Sequence, residues 1–191
     1  STPGSAADHV QIAFLDIGQG DATFITFQDG QQMLVDCAVD NVILEALGRV
    51  MKFYDRDIDY LLVTHPDSDH YGGCIDVLNR YDVKNIIYNG LKKPNESFWR
   101  VFDQAVKEEQ RSGAKYQVIE AMSSLEIAGA KLTFLYPDHA IAQNSFVPGE
   151  TEENDNNTSI VFKLSYGAND VLMTGDMELE LENYLREKYR P

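Results

Sequence analysis

Apolar and polar positions along the first forty residues follow a strand-like pattern in three short runs: residues 10–17 (VQIAFLDI), 21–27 (DATFITF) and 31–37 (QQMLVDC). The turns between them are GQG and QDGQ, so the natural reading is three short antiparallel strands. The spacing then changes. In residues 40–54, Val42, Ile43, Ala46, Leu47, Val50, Met51 and Tyr54 recur at helical intervals behind a capping Asp40 or Asn41, which predicts an amphipathic helix packed on the sheet. Residues 58–65 (IDYLLVTH) return to strand, 69–81 (DHYGGCIDVLNRY) read as a short helix, and 83–90 (VKNIIYNG) as a strand. A helix follows over residues 95–113, with Phe98, Val101, Phe102 and Ala105 on one face and Gly113 ending it.

The second half predicts strands in residues 116–120, 123–129 and 131–137, a polar loop without periodicity over 138–157, strands at 159–167 and 170–176, and a helix from Met177 to Tyr189. No internal repeat appears. Strands with helices placed between groups of them predict two sheets covered by helices. A dinucleotide-binding unit is excluded, because DIGQGD has no third glycine and leads into a strand rather than a helix.

Length and composition narrow this picture. The chain has 191 residues, 43% of them apolar, which suits one domain with a proper core or a piece of a larger one. No window approaches the apolar length of a membrane span, and residues 1–8 carry no signal-peptide pattern, so they read as a flexible lead-in or cloning remnant ahead of a single domain over 9–191. The reading is of a soluble chain, its compartment undecided, with membrane association only through a missing region. Cys37 and Cys74 sit in apolar contexts and read as buried free thiols. A formal charge of −15 argues against a broad phosphate-binding face.

The chemistry concentrates in THPDSDH, residues 64–70, directly after an apolar strand. His65 ends that strand, Asp67 follows two residues on in extended chain, and Asp69 and His70 fall at the start of a helix. Four groups able to bind a metal thus converge on a small volume, where uncompensated acids would repel one another. The bland reading makes Asp67 and Asp69 turn or capping residues. In VLMTGD a second apolar strand delivers Asp176 at its tip, where it can cap the next helix or bind a metal.

LDIGQGDA, LVDCA, THPDSDHYGG, NDNNTSIVFKL and VLMTGD, in this order, resemble the metallo-β-lactamase superfamily, and specifically the branch in the soluble domain of ComEC-type DNA-uptake (competence) proteins. The resemblance runs from about Val10 to the end. It implies an α+β fold, a four-layer αβ/βα sandwich of metallo-β-lactamase type, with two divalent metal ions at one edge. His65 and Asp67 would bind the first ion, Asp69 and His70 the second, and Asp176 would bridge them, which makes Asp69 and Asp176 the residues on which catalysis would depend. Asn156, with Asn157 next, stands where the wider superfamily offers another metal histidine, and Asp67 stands where it commonly has one. Asp16, Gly20 and Asp21 match the opening motif, which would place Asp21 near the metal edge. Asp36 reads as an acid behind the ligands, and His139 as solvent-exposed. The superfamily's last metal histidine comes from beyond the TGD helix, so the fold is expected to be incomplete at the C-terminus.

Such a site implies hydrolysis. Its hard ligands, without a thiolate, favour Mn²⁺ or Zn²⁺, with Mg²⁺ in competition. The favoured function is a metal-dependent phosphodiesterase or nuclease acting on single-stranded DNA during uptake, with a membrane channel on a missing part of the chain or on a partner protein. Two other readings stand beside it: a hydrolase of a small ester, lactone or cyclic nucleotide, and a degenerate binding module. Lys92, Lys93 and Arg100 form the one modest basic cluster, with Trp99 nearby for stacking, though a solvated loop and a core tryptophan is the plainer account.

Overall fold

The computed structural model describes residues 9–141, 147 and 154–190. The expected lead-in over residues 1–8 and the middle of the expected polar loop lie outside the described residues. The first sheet has six strands in the order β1 (Gln11–Phe14), β2 (Thr23–Thr26), β3 (Gln32–Val35), β4 (Asp57–Val63), β5 (Asp82–Tyr88), β6 (Lys115–Val118). β1 to β3 pair antiparallel, as the short GQG and QDGQ turns require, and β3 to β6 pair parallel. Parallel neighbours need crossovers, and these are α1 (Val42–Val50), α2 (Ser68–Tyr71) with α3 (Cys74–Arg80), and α4 (Ser97–Ser112).

The second sheet is antiparallel, in the order β10 (Asn169–Met173), β9 (Val161–Tyr166), β8 (Ala130–Tyr136), β7 (Ser123–Ile127). α5 (Leu179–Lys188) follows it. Strand alternation sorts the core into layers. Leu34, Leu61 and Ile86 stand in register on one face of the first sheet and pack with Ile43, Leu47, Val77 and Phe102 of the crossover helices. Met33, Val35, Leu62 and Ile87 point the other way and pack with Leu132, Phe134, Phe162 and Leu164 of the second sheet. A break in register between Phe134 and Tyr136 reverses the parity of β8, so Tyr136 joins Val161, Leu181 and Leu185 beneath α5. The result is helices, sheet, sheet, helix: the expected αβ/βα sandwich.

Several local expectations change. α1 ends at Val50 rather than running to Tyr54, because Met51 is extended, Asp55 closes a turn on Lys52, and Phe53 and Tyr54 are 90% and 66% exposed with no face to cover. The helix expected over 69–81 is two helices broken at Gly72 and Gly73. A Cβ on Gly72 would lie 2.2 Å from the Val39 carbonyl oxygen, and one on Gly73 2.1 Å from that of Cys37, so only glycines permit this approach. α4 buries Trp99, Phe102 and Val106, whereas Phe98 and Val101 are half exposed. Finally, Cys37 and Cys74 are not free thiols. They form a buried disulfide with Cα atoms 5.1 Å apart, because Gly73 lets the start of α3 lie against the chain leaving β3.

Candidate metal centre

The ends of β3 and β4 and the residues flanking the β9–β10 hairpin meet at one edge of the sandwich. β3 leads into Asp36, β4 into Thr64 and His65, α2 carries His70, the 3-10 turn Asn156–Thr158 leads into Ser159, and β10 leads through Gly175 to Asp176. Asp36 organises the first-sheet half. It is almost fully buried, and its Oδ1 accepts the Thr64 backbone N–H at 2.8 Å. Its Oδ2 accepts the Thr64 hydroxyl at 2.7 Å and His70 Nδ1–H at 3.0 Å.

That network assigns the tautomer of His65. Because the Thr64 hydroxyl donates to Asp36, it accepts from His65 Nδ1–H at 3.0 Å, and Ser159 Oγ lies 3.3 Å from the same nitrogen. The lone pair therefore sits on His65 Nε2, a fully buried atom without a hydrogen-bond partner. Asp67 Oδ2 stands 3.6 Å away, beyond hydrogen-bond reach. His70 presents its own Nε2 to Asp176 Oδ1 at 3.4 Å, and the Asp176 backbone N–H donates to Ser159 Oγ at 3.1 Å. Gly175 has φ +51, and a Cβ there would fall 2.8 Å from Ser159 Oγ, so the bend that presents Asp176 also demands glycine.

Acids surround the two rings, whose centroids are 4.1 Å apart. Burial pushes the pKa of His70 down, but the hydrogen bond and charge of Asp36, then the charges of Asp176 and Asp69, outweigh it and raise it to about 9. Asp21 is held above the usual carboxylate range by burial and by Asp176, Asp36 and Asp69, against the pull of His70.

The donor set fits a divalent cation. Ligand atoms of His65, His70 and Asp176 lie within 4.8 Å of one another, and the lone pair of His65 Nε2 lacks any other use. Among the described residues, Asp67 and Asp69 join no such group of three. Asp67 occupies the residue before α2 but makes no capping bond; its carboxylate faces His65 and Lys93 instead. Asp69 acts through its charge on His70 and Asp21, while its backbone carbonyl sits 2.0 Å from where a Gly20 Cβ would be. Asp176 does not cap α5, whose capping position is Glu178. Asn156 donates its amide to Glu178 at 2.8 Å, outside the histidine pair, and Asn157 accepts the Glu178 backbone N–H at 2.8 Å. Asp16 and His139 are exposed. No local pattern marks Ser159 or Lys93 for these roles; Thr64 carries a signal, as the hydroxyl residue next to a strand-end histidine.

The metallo-beta-lactamase superfamily model matches residues 15–190. Recombination protein 2 of Haemophilus influenzae is 25% identical over 178 residues, 90% of this chain and 19% of that protein. An uncharacterized protein of Methanocaldococcus jannaschii is 34% identical over 73 residues, 38% of this chain and 18% of that one. The chain thus spans about a fifth of the length of these relatives. Among solved structures, metallo-beta-lactamase SMB-1 bound to 2-mercaptoethanesulfonate superposes with a TM-score of 0.54 at 17% identity, covering 92% of this chain and 70% of that one. CmlA, a diiron beta-hydroxylase from Streptomyces venezuelae, gives 0.53 at 14% identity, covering 95% and 33%. At such identities these two likenesses speak for the fold alone. The family match covers nearly the whole chain, and the protein belongs to the metallo-beta-lactamase superfamily.

Proposed function

We propose that this chain is a metal-dependent hydrolase that cleaves phosphodiester bonds of DNA, with two divalent cations, Mn²⁺ or Zn²⁺, held by His65, Asp67, Asp69, His70 and Asp176. One observation carries the metal reading: the buried, unpartnered Nε2 of His65, its lone pair fixed by Thr64 and Ser159, next to His70 and Asp176. When bound, divalent cations supply a nucleophile from water at neutral pH and Lewis-acid stabilisation of phosphate oxygens. The residues of the chain do the rest. Asp36 and Thr64 keep the metal-facing nitrogens of both histidines turned to the same side. Asp176, 39% exposed beside two buried rings, supports an approach of substrate from its side.

The similarity to Recombination protein 2 along 90% of this chain supports a nucleic-acid substrate, and the opening and strand-end motifs that resemble ComEC-type proteins support DNA uptake as its setting. With a charge of −15 the surface contributes little to phosphate binding, so DNA is presented by a membrane channel elsewhere in the protein or on a partner. No helix among the described residues is long and apolar enough to cross a membrane.

The test is metal content after purification without chelator, followed by incubation with single-stranded DNA, a lactone and a cyclic nucleotide in Mn²⁺ or Zn²⁺. Metal in the wild type, its loss in Asp69→Ala and His65→Ala, and cleavage of DNA alone are expected. A wild type that binds no added metal sinks the metal reading; turnover of the small substrates with intact DNA sinks the choice of substrate.

A further inference from the structure

Lys93 lies in the loop between β5 and α4, where a lysine of an acidic protein would ordinarily be solvated. Its side chain is only 20% exposed and meets three carboxylates: Asp67 Oδ1 at 3.3 Å, Glu96 Oε1 at 3.6 Å, and Asp155 in a close ion pair. The loop that carries it is fixed from below. Asn89, fully buried, donates its amide to the carbonyl and hydroxyl oxygens of Thr158 at 2.9 and 3.0 Å, and accepts the Leu91 backbone N–H at 3.0 Å. The β5–α4 loop therefore grips the 155–158 turn at two points, through Asn89 and through Lys93.

The contacts form a ring. Asp67 reaches Lys93, Lys93 reaches Asp155, and the Asp155 carbonyl accepts both the backbone N–H and the hydroxyl of Thr158 at 2.9 and 2.6 Å. Ser159 comes next and faces His65 Nδ1, whose ring presents Nε2 back to Asp67 Oδ2. The two oxygens of Asp67 are divided, one for Lys93 and one toward the buried lone pair. We propose that Lys93 is a positioning residue of the metal centre, which aims Asp67 at the His65 side and ties the end of β4 to the turn that supplies Ser159. This rests on the metal reading above.

Electrostatics favours the same sign. The ammonium is outnumbered by its three acids, so it is not a bare cation repelling a metal. Removing it leaves Asp67, Glu96 and Asp155 facing one another, and their repulsion turns Asp67 away and loosens the 155–158 turn. Residues that orient metal ligands are worth roughly 10- to 100-fold in metal affinity.

The experiment is titration of the metal-free protein with Mn²⁺ and with Zn²⁺ alone, alongside its thermal unfolding. Lys93→Met should bind about 10- to 100-fold more weakly, with a metal-free Tm close to wild type. Lys93→Arg should recover most of the affinity. Asp155→Asn approaches the ring from the other side, keeps Lys93, and should weaken binding in the same direction; the double variant should be no weaker than Lys93→Met. Equal or tighter binding by a folded Lys93→Met makes Lys93 a strut or a competing counter-ion and overturns the inference, as does additive loss in the double variant. If Lys93→Met does not fold, unchanged affinity in Asp155→Asn overturns it. A wild type that binds no metal overturns the metal reading as well, which separates the two failures.

Discussion

Asp36→Asn changes one atom of a buried carboxylate and should reach both histidines. The backbone is not the perturbation: Asp36 has φ 58, and asparagine is among the residues that best tolerate the left-handed region. The amide keeps an acceptor for the Thr64 N–H but sets an NH₂ group against two donors, the Thr64 hydroxyl and His70 Nδ1–H. The Thr64 hydroxyl then loses the acceptor for its O–H and must turn to accept from the amide, which disturbs the bond it accepts from His65 Nδ1–H. His70 loses the first cause of its raised pKa. A histidine raised to about 9 stabilises the fold fully below about pH 6.5 and loses that contribution as pH rises through about 9. At pH 7 linkage gives roughly 2–3 kcal/mol, and the disturbed Thr64 bond adds about 1 kcal/mol. Thermal unfolding of chelator-treated protein should fall by roughly 5–12 °C at pH 7, and by clearly less at pH 10, where wild-type His70 is already neutral. Metal affinity should drop about 10- to 100-fold. An equal destabilisation at both pH values, or unchanged metal affinity, would refute the reasoning.

Gly175→Ala puts a Cβ at φ +51 within 2.8 to 3.1 Å of Ser159 and Thr64, so it should cost about 1–3 kcal/mol of stability in thermal unfolding and weaken metal binding through His65, whose Nδ1 both residues hold. The paired change Cys37→Ser and Cys74→Ser opens a loop of 37 residues and should lower stability by about 2–4 kcal/mol in urea unfolding; thiol alkylation of the protein unfolded in urea without reductant should find neither cysteine reactive. Asp138 is held at about 2 by Lys188, Tyr184 and His139, against burial, so its contribution is present above about pH 4 and is lost as pH falls toward 2. With Lys188 31% exposed, that is about 1–2 kcal/mol, and Asp138→Asn should remove this part of the acid limb of stability while leaving metal binding unchanged.

What the sequence shows of this fold is what depends on near neighbours. Period-two runs mark the strands of both sheets, and apolar recurrence marks the helices, because those patterns are set by residues a few positions apart. The facing of α4 is less legible: Phe98 and Val101 form one apolar stripe, Trp99 and Val106 another, and the rings that bury Trp99, Tyr71 and Tyr88, come from other elements. The same limit governs the site. Histidine and aspartate at the end of an apolar strand are visible in THPDSDH, as is Asp176 at the end of VLMTGD. Their supports are not, because Thr64 meets Asp36 across 28 positions and His65 meets Ser159 across 94. Nothing in the local sequence of Cys37 or Lys93 distinguishes a disulfide from a buried thiol, or a wall of the site from a solvated loop.

Those distant supports come from both halves of the sandwich, and this has a consequence for how the centre forms. Asp36, Thr64, His65 and His70 are carried by the first sheet and its crossover; Ser159 and Asp176 flank the hairpin of the second. The Nδ1 of His65 sits between Thr64 of one sheet and Ser159 of the other, and His70 Nε2 faces Asp176 across the same seam. The first sheet alone can hold both imidazoles at the right tautomer, but it leaves them one acid short. The three-residue group exists only once Leu62, Met33 and Ile87 have packed against Phe134 and Phe162 and brought the hairpin ends to the strand ends. On the metal reading, affinity should follow the packing of the two sheets: a cavity cut into the inter-sheet layer, far from any ligand, should weaken metal binding in a titration with Mn²⁺ or Zn²⁺, because an ion held by residues of both sheets is coupled to their association.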